Sequence, residues 1–173
     1  MKNYDVSEIR NWITSLKAGD EILLSGTVYT ARDAAHKRLF SMYENGEELP
    51  IDIKDKLFYY CGPIVDLKNG SILSAGPTTS GRMDRYVPFL MEKYGLAGTI
   101  GKGMRSKTVI DAIKRNKGVY FCAYGGLGAL LADRIIECRT IAFPELGCES
   151  IKEMKLKEFP VTIGIDSNGN SIL

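Results

Sequence analysis

The chain has a single histidine, His36, and its four cysteines, Cys61, Cys122, Cys138 and Cys148, form no Cys-x-x-Cys pair. Spacing this scattered offers no closed metal-ligand set and none of the cysteine runs that hold an iron–sulfur cluster. Charge of one sign is also lacking. With 23 Lys and Arg against 21 Asp and Glu, the formal net charge is +2, too small to argue for a nucleic-acid or membrane surface. No apolar run approaches the length that crosses a bilayer. The segment Met1–Val6 lacks the apolar stretch of a secretory leader, so a reducing cytoplasm is the expected compartment. Repeats, low-complexity tracts and interdomain linkers are missing as well. The 173 residues, 45% of them hydrophobic, therefore read as one domain over 1–173 with enough apolar content for a real core.

Strand and helix signals alternate. Helix is expected at Ser7–Leu16 and strand at Glu21–Tyr29, after which Thr30 is placed to cap a helix at 31–45 with Asp33 as the capping-box acid. Leu57–Ile64 and Ile72–Ala75 read as strands around an Asn69-Gly70 turn, and Arg82–Tyr94 as a helix ended by Gly95. Gly98–Gly103 is a short strand running into a glycine turn, Ser106 caps a helix that stops at Gly118, and 118–124 is strand. A helix is expected over 126–137, with strands at Arg139–Phe143 and Val161–Asp166 and a closing turn at Asn168-Gly169. Lys152–Lys157, interleaved with Glu153 and followed by Glu158, reads as a solvated helix face. Cys61 and Cys122 end apolar runs, where free cysteine behaves as a small buried hydrophobe. The order predicts an α/β fold: a central mixed sheet with flanking helices.

Three segments carry potential chemistry. Gly76-Pro77-Thr78-Thr79-Ser80-Gly81-Arg82-Met83-Asp84 puts hydroxyls, glycines and an arginine at a strand-to-helix junction. Amide groups and the dipole at a helix N-terminus favour an anion there, and the planar guanidinium of Arg82 suits a carboxylate or phosphate. The competing reading is a plain helix start capped by Thr79 or Ser80. In Tyr29–Lys37, Arg32 stands in the first turn of a helix, where a cation is unfavourable unless an anion accompanies it. His36 lies one turn below on the same face, and a packed or surface role suits it better than a catalytic one. Gly101-Lys102-Gly103 is poor core and poor helix material, so it reads either as a loop delivering one ammonium to a ligand or as an exposed turn. Gly126-x-Gly128 follows a strand but lacks the third glycine of a dinucleotide fingerprint, so close helix–strand packing accounts for it better than a nucleotide.

Taken in order, Ala31-Arg32-Asp33-Ala34-Ala35-His36-Lys37-Arg38, then Gly76–Asp84, then Gly101-Lys102-Gly103 resemble the C-terminal domain or separate beta subunit of class I fumarases and L-tartrate dehydratases. The likeness runs from the Gly19-Asp20 region to the final Asp166–Asn170 turn. It implies a swivelling β/β/α domain and an alpha partner subunit holding a 4Fe-4S cluster, one iron of which binds the hydroxyl that leaves as water. It also implies that Arg32, Arg82 and Lys102 clamp a C4 dicarboxylate and that Thr78 is the base proposed to take the carbon-bound proton. Three cations suit a ligand with two negative ends. A threonine is a poor base at neutral pH and would need neighbouring cations or a helix dipole. Ser80 and Asp84 would orient Arg82 or cap the helix.

The resemblance leaves fumarate hydration and tartrate dehydration as readings of one site, with fumarase the leading one. An anion-binding module that kept the fold and lost its partner is the alternative from another class. Assembly beyond the heterodimer, including a homo-oligomer of it, is not fixed by the sequence.

Overall fold

A computed structural model describes residues 1–66 and 68–173. Its centre is a seven-stranded mixed sheet in the order β1-β2-β3-β6-β7-β9-β8, with a further pairing of β2 to β9 that curls it into a barrel. The strands are β1 (Lys2–Asp5), β2 (Glu21–Thr30), β3 (Leu57–Tyr59), β6 (Gly98–Gly101), β7 (Val119–Cys122), β8 (Ile135–Ala142) and β9 (Ile151–Ile165). β1, β2, β3, β6 and β7 run parallel, and β9 is antiparallel to β2, β7 and β8. A separate hairpin pairs β4 (Ile64–Val65) with β5 (Ile72–Ser74). The expected Asn69-Gly70 turn lies in that hairpin, beside the one residue outside the described set.

Alternation along the strands separates two apolar clusters, one on each side of the same sheet. Leu57, Tyr59, Val119 and Phe121 join Leu24, Val28, Phe159 and Ile163 in the barrel interior. Phe58, Tyr60 and Tyr120 face the other way, onto Leu39, Leu90, Val109 and Ile113 of the helices α2 (Asp33–Glu44), α3 (Val87–Tyr94) and α4 (Lys107–Asn116). The short helices α1 (Ile9–Trp12) and α5 (Gly128–Ala132) pack on the barrel-side cluster through Ile9 and Leu131. No helix among the described residues is long and apolar enough to cross a membrane.

Several local expectations change. Lys152–Lys157 is strand, not helix: Met154 and Leu156 are buried while Lys155 and Lys157 face out, a period of two that the charges obscured. β9 continues past Glu158, whose left-handed φ of 50° bends it so that its first part pairs with β8 and its last part with β7. The helix expected over 126–137 ends at Ala132, because Ile135 already pairs with Leu156 of β9. The one expected over 82–94 divides into a 3-10 turn, Ser80–Met83, and α3, with Pro88 in its first turn, where no amide donor is needed. Thr30 does not cap α2. It is the buried last residue of β2, donating its hydroxyl to the Ser150 carbonyl at 3.3 Å and accepting the Lys152 amide at 3.0 Å. Arg32 holds the N-cap position instead.

Gly128 sits with its backbone against Gly76, so close that an added Cβ would lie 3.2 Å from the Gly76 nitrogen. Close packing therefore explains Gly128, whereas Gly126 has open space around it and a left-handed φ of 81°, and the loop after β7 is pressed onto the segment that begins the Gly76–Asp84 stretch.

Candidate active site

Parallel strands direct the loops after their C-terminal ends to one side, which is where open α/β sheets build sites. Here the loops after β2, β3, β5, β6 and β7 meet there. Thr78 is fixed by its backbone: its amide donates to the Tyr60 carbonyl at 2.6 Å, just after β3. Two residues before Gly76, the strand β5 ends, and the Tyr59 hydroxyl donates from inside the barrel to the Ala75 carbonyl. Thr79 and Lys102 form a parallel bridge, and the Ser80 amide donates to the Lys102 carbonyl at 2.9 Å. The threonine segment and the lysine loop are thus one extra rung of sheet. That rung requires Gly101, because a Cβ there would collide with the Ser80 hydroxyl.

The arginines close the rim from the α2 side. Arg82 donates Nε to Asp33 Oδ1 at 3.2 Å, and its Nη2 lies 2.8 Å from Oδ2 as an ion-pair contact without hydrogen-bond geometry, since Oδ2 has no hydrogen-bond partner among the described residues. Asp33, read from sequence as a capping acid, is therefore the residue that orients Arg82. Arg32, the neighbour of Asp33, lays its guanidinium across Gly62, where an added Cβ would fall 2.7 Å from Nη1. Its Nε is buried without a hydrogen-bond partner among the described residues, and Glu149 Oε1 lies 3.9 Å away. Lys102 is exposed and runs along Gly125 of the loop after β7. The structure thus places Arg32, Thr78, Arg82 and Lys102 on segments that touch one another along one edge of the barrel. That edge is open, with 53% of the Arg82 side chain exposed, so its ion pair with Asp33 contributes little to stability by itself.

Ser80 and Asp84 do other work than expected. Ser80 is buried and its hydroxyl meets the Tyr120 hydroxyl at 2.9 Å, while Asp84 binds Arg105 Nε at 2.7 Å and the Ser106 amide at 2.5 Å. Sequence reading passed over Tyr60, Arg105 and Tyr120. The two tyrosines stand in strand runs that looked like plain core, and Arg105 was hidden in a polar loop.

His36 is fully buried among the rings of Phe58, Tyr60 and Tyr86. Its Nδ1 lies 2.8 Å from the Arg32 carbonyl, so the neutral ring donates there and steadies the backbone of the N-cap. Burial, reinforced by the charge of Arg105, lowers its pKa from 6.5 to about 4. Unfolding lets the ring take up a proton in the window between those values. Stability is therefore full above about pH 6.5 and falls as pH drops towards 4, by about 3 kcal/mol in all. Urea unfolding between pH 7 and pH 4.5 should show this slope, and His36→Phe should flatten it. Asp166, whose pKa is lowered by bonds from Asn170, Asn168 and Ala18 that outweigh its burial, acts below that window.

No three or more His, Cys, Asp or Glu among the described residues gather as a metal site. Burial raises the thiol pKa of Cys61, Cys122 and Cys138, which opposes the thiolate form a metal needs. Cys61 lies in the barrel-side cluster, and Cys122 packs against the helix-side one.

Comparison with known proteins matches the Fumarase C-terminus family over residues 2–173. "Fumarate hydratase 2" of Leishmania major is 39% identical over 168 residues, covering 96% of this chain and 30% of that protein. "Fumarate hydratase class I, aerobic" of Escherichia coli (strain K12) is 38% identical over 171 residues, 97% of this chain and 31% of that protein. "Putative L(+)-tartrate dehydratase subunit beta" of Methanocaldococcus jannaschii is 36% identical over 165 residues, 92% of this chain and 85% of that protein. The chain thus spans under a third of the fumarate hydratases it matches and most of the beta subunit.

Proposed function

The chain belongs to the Fumarase C-terminus family, and we propose on that premise that it is the beta subunit of an iron–sulfur hydro-lyase acting on a C4 dicarboxylate. Fumarate and malate are the leading pair. Residues 1–173 act as one unit beside an alpha partner that holds the cluster, in the cytoplasm. The division is supported by the relative whose name is that of a tartrate dehydratase subunit beta.

Arg32, Arg82 and Lys102 hold the two carboxylates, and Thr78 takes the proton from the carbon next to one of them. The observation that carries this reading is the rung joining Thr79 to Lys102, together with the ion pair joining Arg82 to Asp33 beside Arg32. A dianion held by three cations has its carbons fixed relative to Thr78, so the proton transfer needs no further search for orientation. The cations also favour the alkoxide character that a threonine needs to act as a base. Since the anchor of Thr78 is a main-chain bond to Tyr60, its hydroxyl is not spent on holding the loop.

A second reading, L-tartrate dehydration, has its own support in the relative whose length this chain matches over 85%. Both reactions remove water from a C4 dicarboxylate and use the same clamp. The experiment is anaerobic co-expression with the adjacent larger reading frame, followed by assays with fumarate, malate and tartrate. Malate formed from fumarate is the expected result; oxaloacetate formed only from tartrate would select the second reading. A cluster-loaded complex inactive on all three would overturn the proposal in favour of an anion-binding module.

A further inference from the structure

Behind the rim lies a polar hub that none of the proposed substrate contacts uses. The Arg105 side chain is fully buried, at 0% exposure. Its Nε pairs with Asp84 at 2.7 Å, its Nη1 donates to Thr99 Oγ1 at 2.8 Å, and its guanidinium stands 4.7 Å from the Tyr120 ring and 5.5 Å from the Tyr60 ring. Its Nη2 has no hydrogen-bond partner among the described residues. A buried ion pair with a donor left over is poor value for stability alone, since an apolar group of the same volume is often as stable there. What this pair does instead is join two loops.

Asp84, two residues after Arg82, takes Arg105 on one oxygen and the Ser106 amide on the other. Tyr120, against which Arg105 stacks, donates to the Gly103 carbonyl at 2.9 Å and meets the Ser80 hydroxyl at 2.9 Å. Together these contacts link the Thr78–Asp84 segment to the 101–106 loop, directly through Asp84 and by way of Tyr120, which touches Ser80 on one side and Gly103 on the other. Lys102 itself is exposed and makes no side-chain hydrogen bond or ion pair among the described residues, so its position follows from its backbone.

We propose that Arg105 is a positioning residue, relayed by Asp84 and Tyr120, that sets where Lys102 stands relative to Thr78 and Arg82. The proposal rests on the hydro-lyase reading for its effect on turnover, but not for the coupling of the two loops. A lysine in place of Arg105 would keep the charge and lose the planar fork that reaches Asp84 and Thr99 together.

The test uses Tyr120→Phe and Arg105→Lys, the first because it deletes one hydroxyl without unpairing a buried charge. On the full chain, amide hydrogen exchange at Ser80 and Ser106 should quicken together by about tenfold in Tyr120→Phe, with strands β2 and β9 unaffected. Unchanged exchange at either amide would overturn the coupling, whether or not the assembled enzyme is active. In the complex with its alpha partner, both variants should raise KM for the dicarboxylate about tenfold and leave kcat within about threefold, because a displaced Lys102 weakens binding of substrate and transition state alike. A merely structural role predicts a lower melting temperature with unchanged KM, and that result would overturn the positioning role. A wild-type complex with no hydro-lyase activity would instead count against the proposed function, and the exchange measurement would still decide the coupling.

Discussion

Purified by itself, the full chain should hydrate no detectable fumarate and dehydrate neither malate nor tartrate, and activity should appear only on assembly with the alpha partner. Hydroxide is a poor leaving group, and removing it from an unactivated carbon needs a strong acid at that oxygen. The rim offers cations suited to holding anions, Arg32, Arg82 and Lys102, and no metal to act as a Lewis acid is supplied by them. The sole histidine is walled off beneath it, with its pKa lowered to about 4 by burial, so at neutral pH it is the neutral ring and not the acidic imidazolium. The thiol pKa values of Cys61, Cys122 and Cys138 are raised by burial, and among the described residues none belongs to a grouped metal site. The open edge also leaves water around any bound dicarboxylate, which weakens charge attraction. The assay is progress-curve absorbance for fumarate with the chain alone and with the co-expressed complex, both anaerobic. Activity from the chain alone would remove the partner from the reading.

Physical reasons separate what was legible in the sequence from what was not. Helices α2 and α4 were readable because their apolar residues recur at helical spacing and Gly46 and Gly118 follow their ends. β2, β3 and β7 were readable as β-favouring apolar runs. The closure of the sheet was not, because the pairing of β2 with β9 joins residues some 130 positions apart, such as Leu24 and Phe159, and nothing local announces it. Charge also misled: the lysines of 152–157 outweighed Met154 and Leu156, whose two-residue spacing was the strand signal.

At the rim, Arg32 and Lys102 stood out because each is an awkward residue for its local structure, Arg82 because it closes a run of hydroxyls and glycines, and Thr78 through the family resemblance. A cation at a helix start or a lysine between glycines invites a reason beyond folding. Their supports did not stand out. Asp33 looked like an ordinary cap and Tyr60 and Tyr120 like ordinary core, since each is suited to its element and reveals its second role only in contact. Asp84 shows the limit of proximity in sequence. Two residues from Arg82, it serves Arg105, and the partner of Arg82 comes from Asp33, 49 residues away.

In the assembled enzyme, Arg82→Ala and Thr78→Ala should both cost heavily, but in different constants. In the proposed clamp Arg82 holds substrate charge, and its guanidinium is already paired with Asp33, so little is lost in ordering it when ligand binds. Its removal takes away a charged contact and leaves Asp33 facing the site unpaired, which adds repulsion against a dicarboxylate. A fall in kcat/KM of about 10²–10³-fold, or about 3–4 kcal/mol, is expected, with KM rising. Arg82→Lys should recover only part, because one ammonium cannot hold both oxygens of Asp33 and a carboxylate. Thr78 is different. Its amide keeps the loop on Tyr60 whatever the side chain, so Thr78→Ala should leave the rung to Lys102, and hence KM, within about threefold. If the hydroxyl takes the carbon-bound proton, kcat should fall by about 10²–10⁴-fold. Thr78→Ser, which keeps an oxygen in the same place, should restore most of it. Exchange of the substrate's carbon-bound hydrogen with solvent deuterium separates this from a capping role: it should vanish in Thr78→Ala and return in Thr78→Ser. Normal turnover in Thr78→Ala would leave the clamp standing and move the base to another residue.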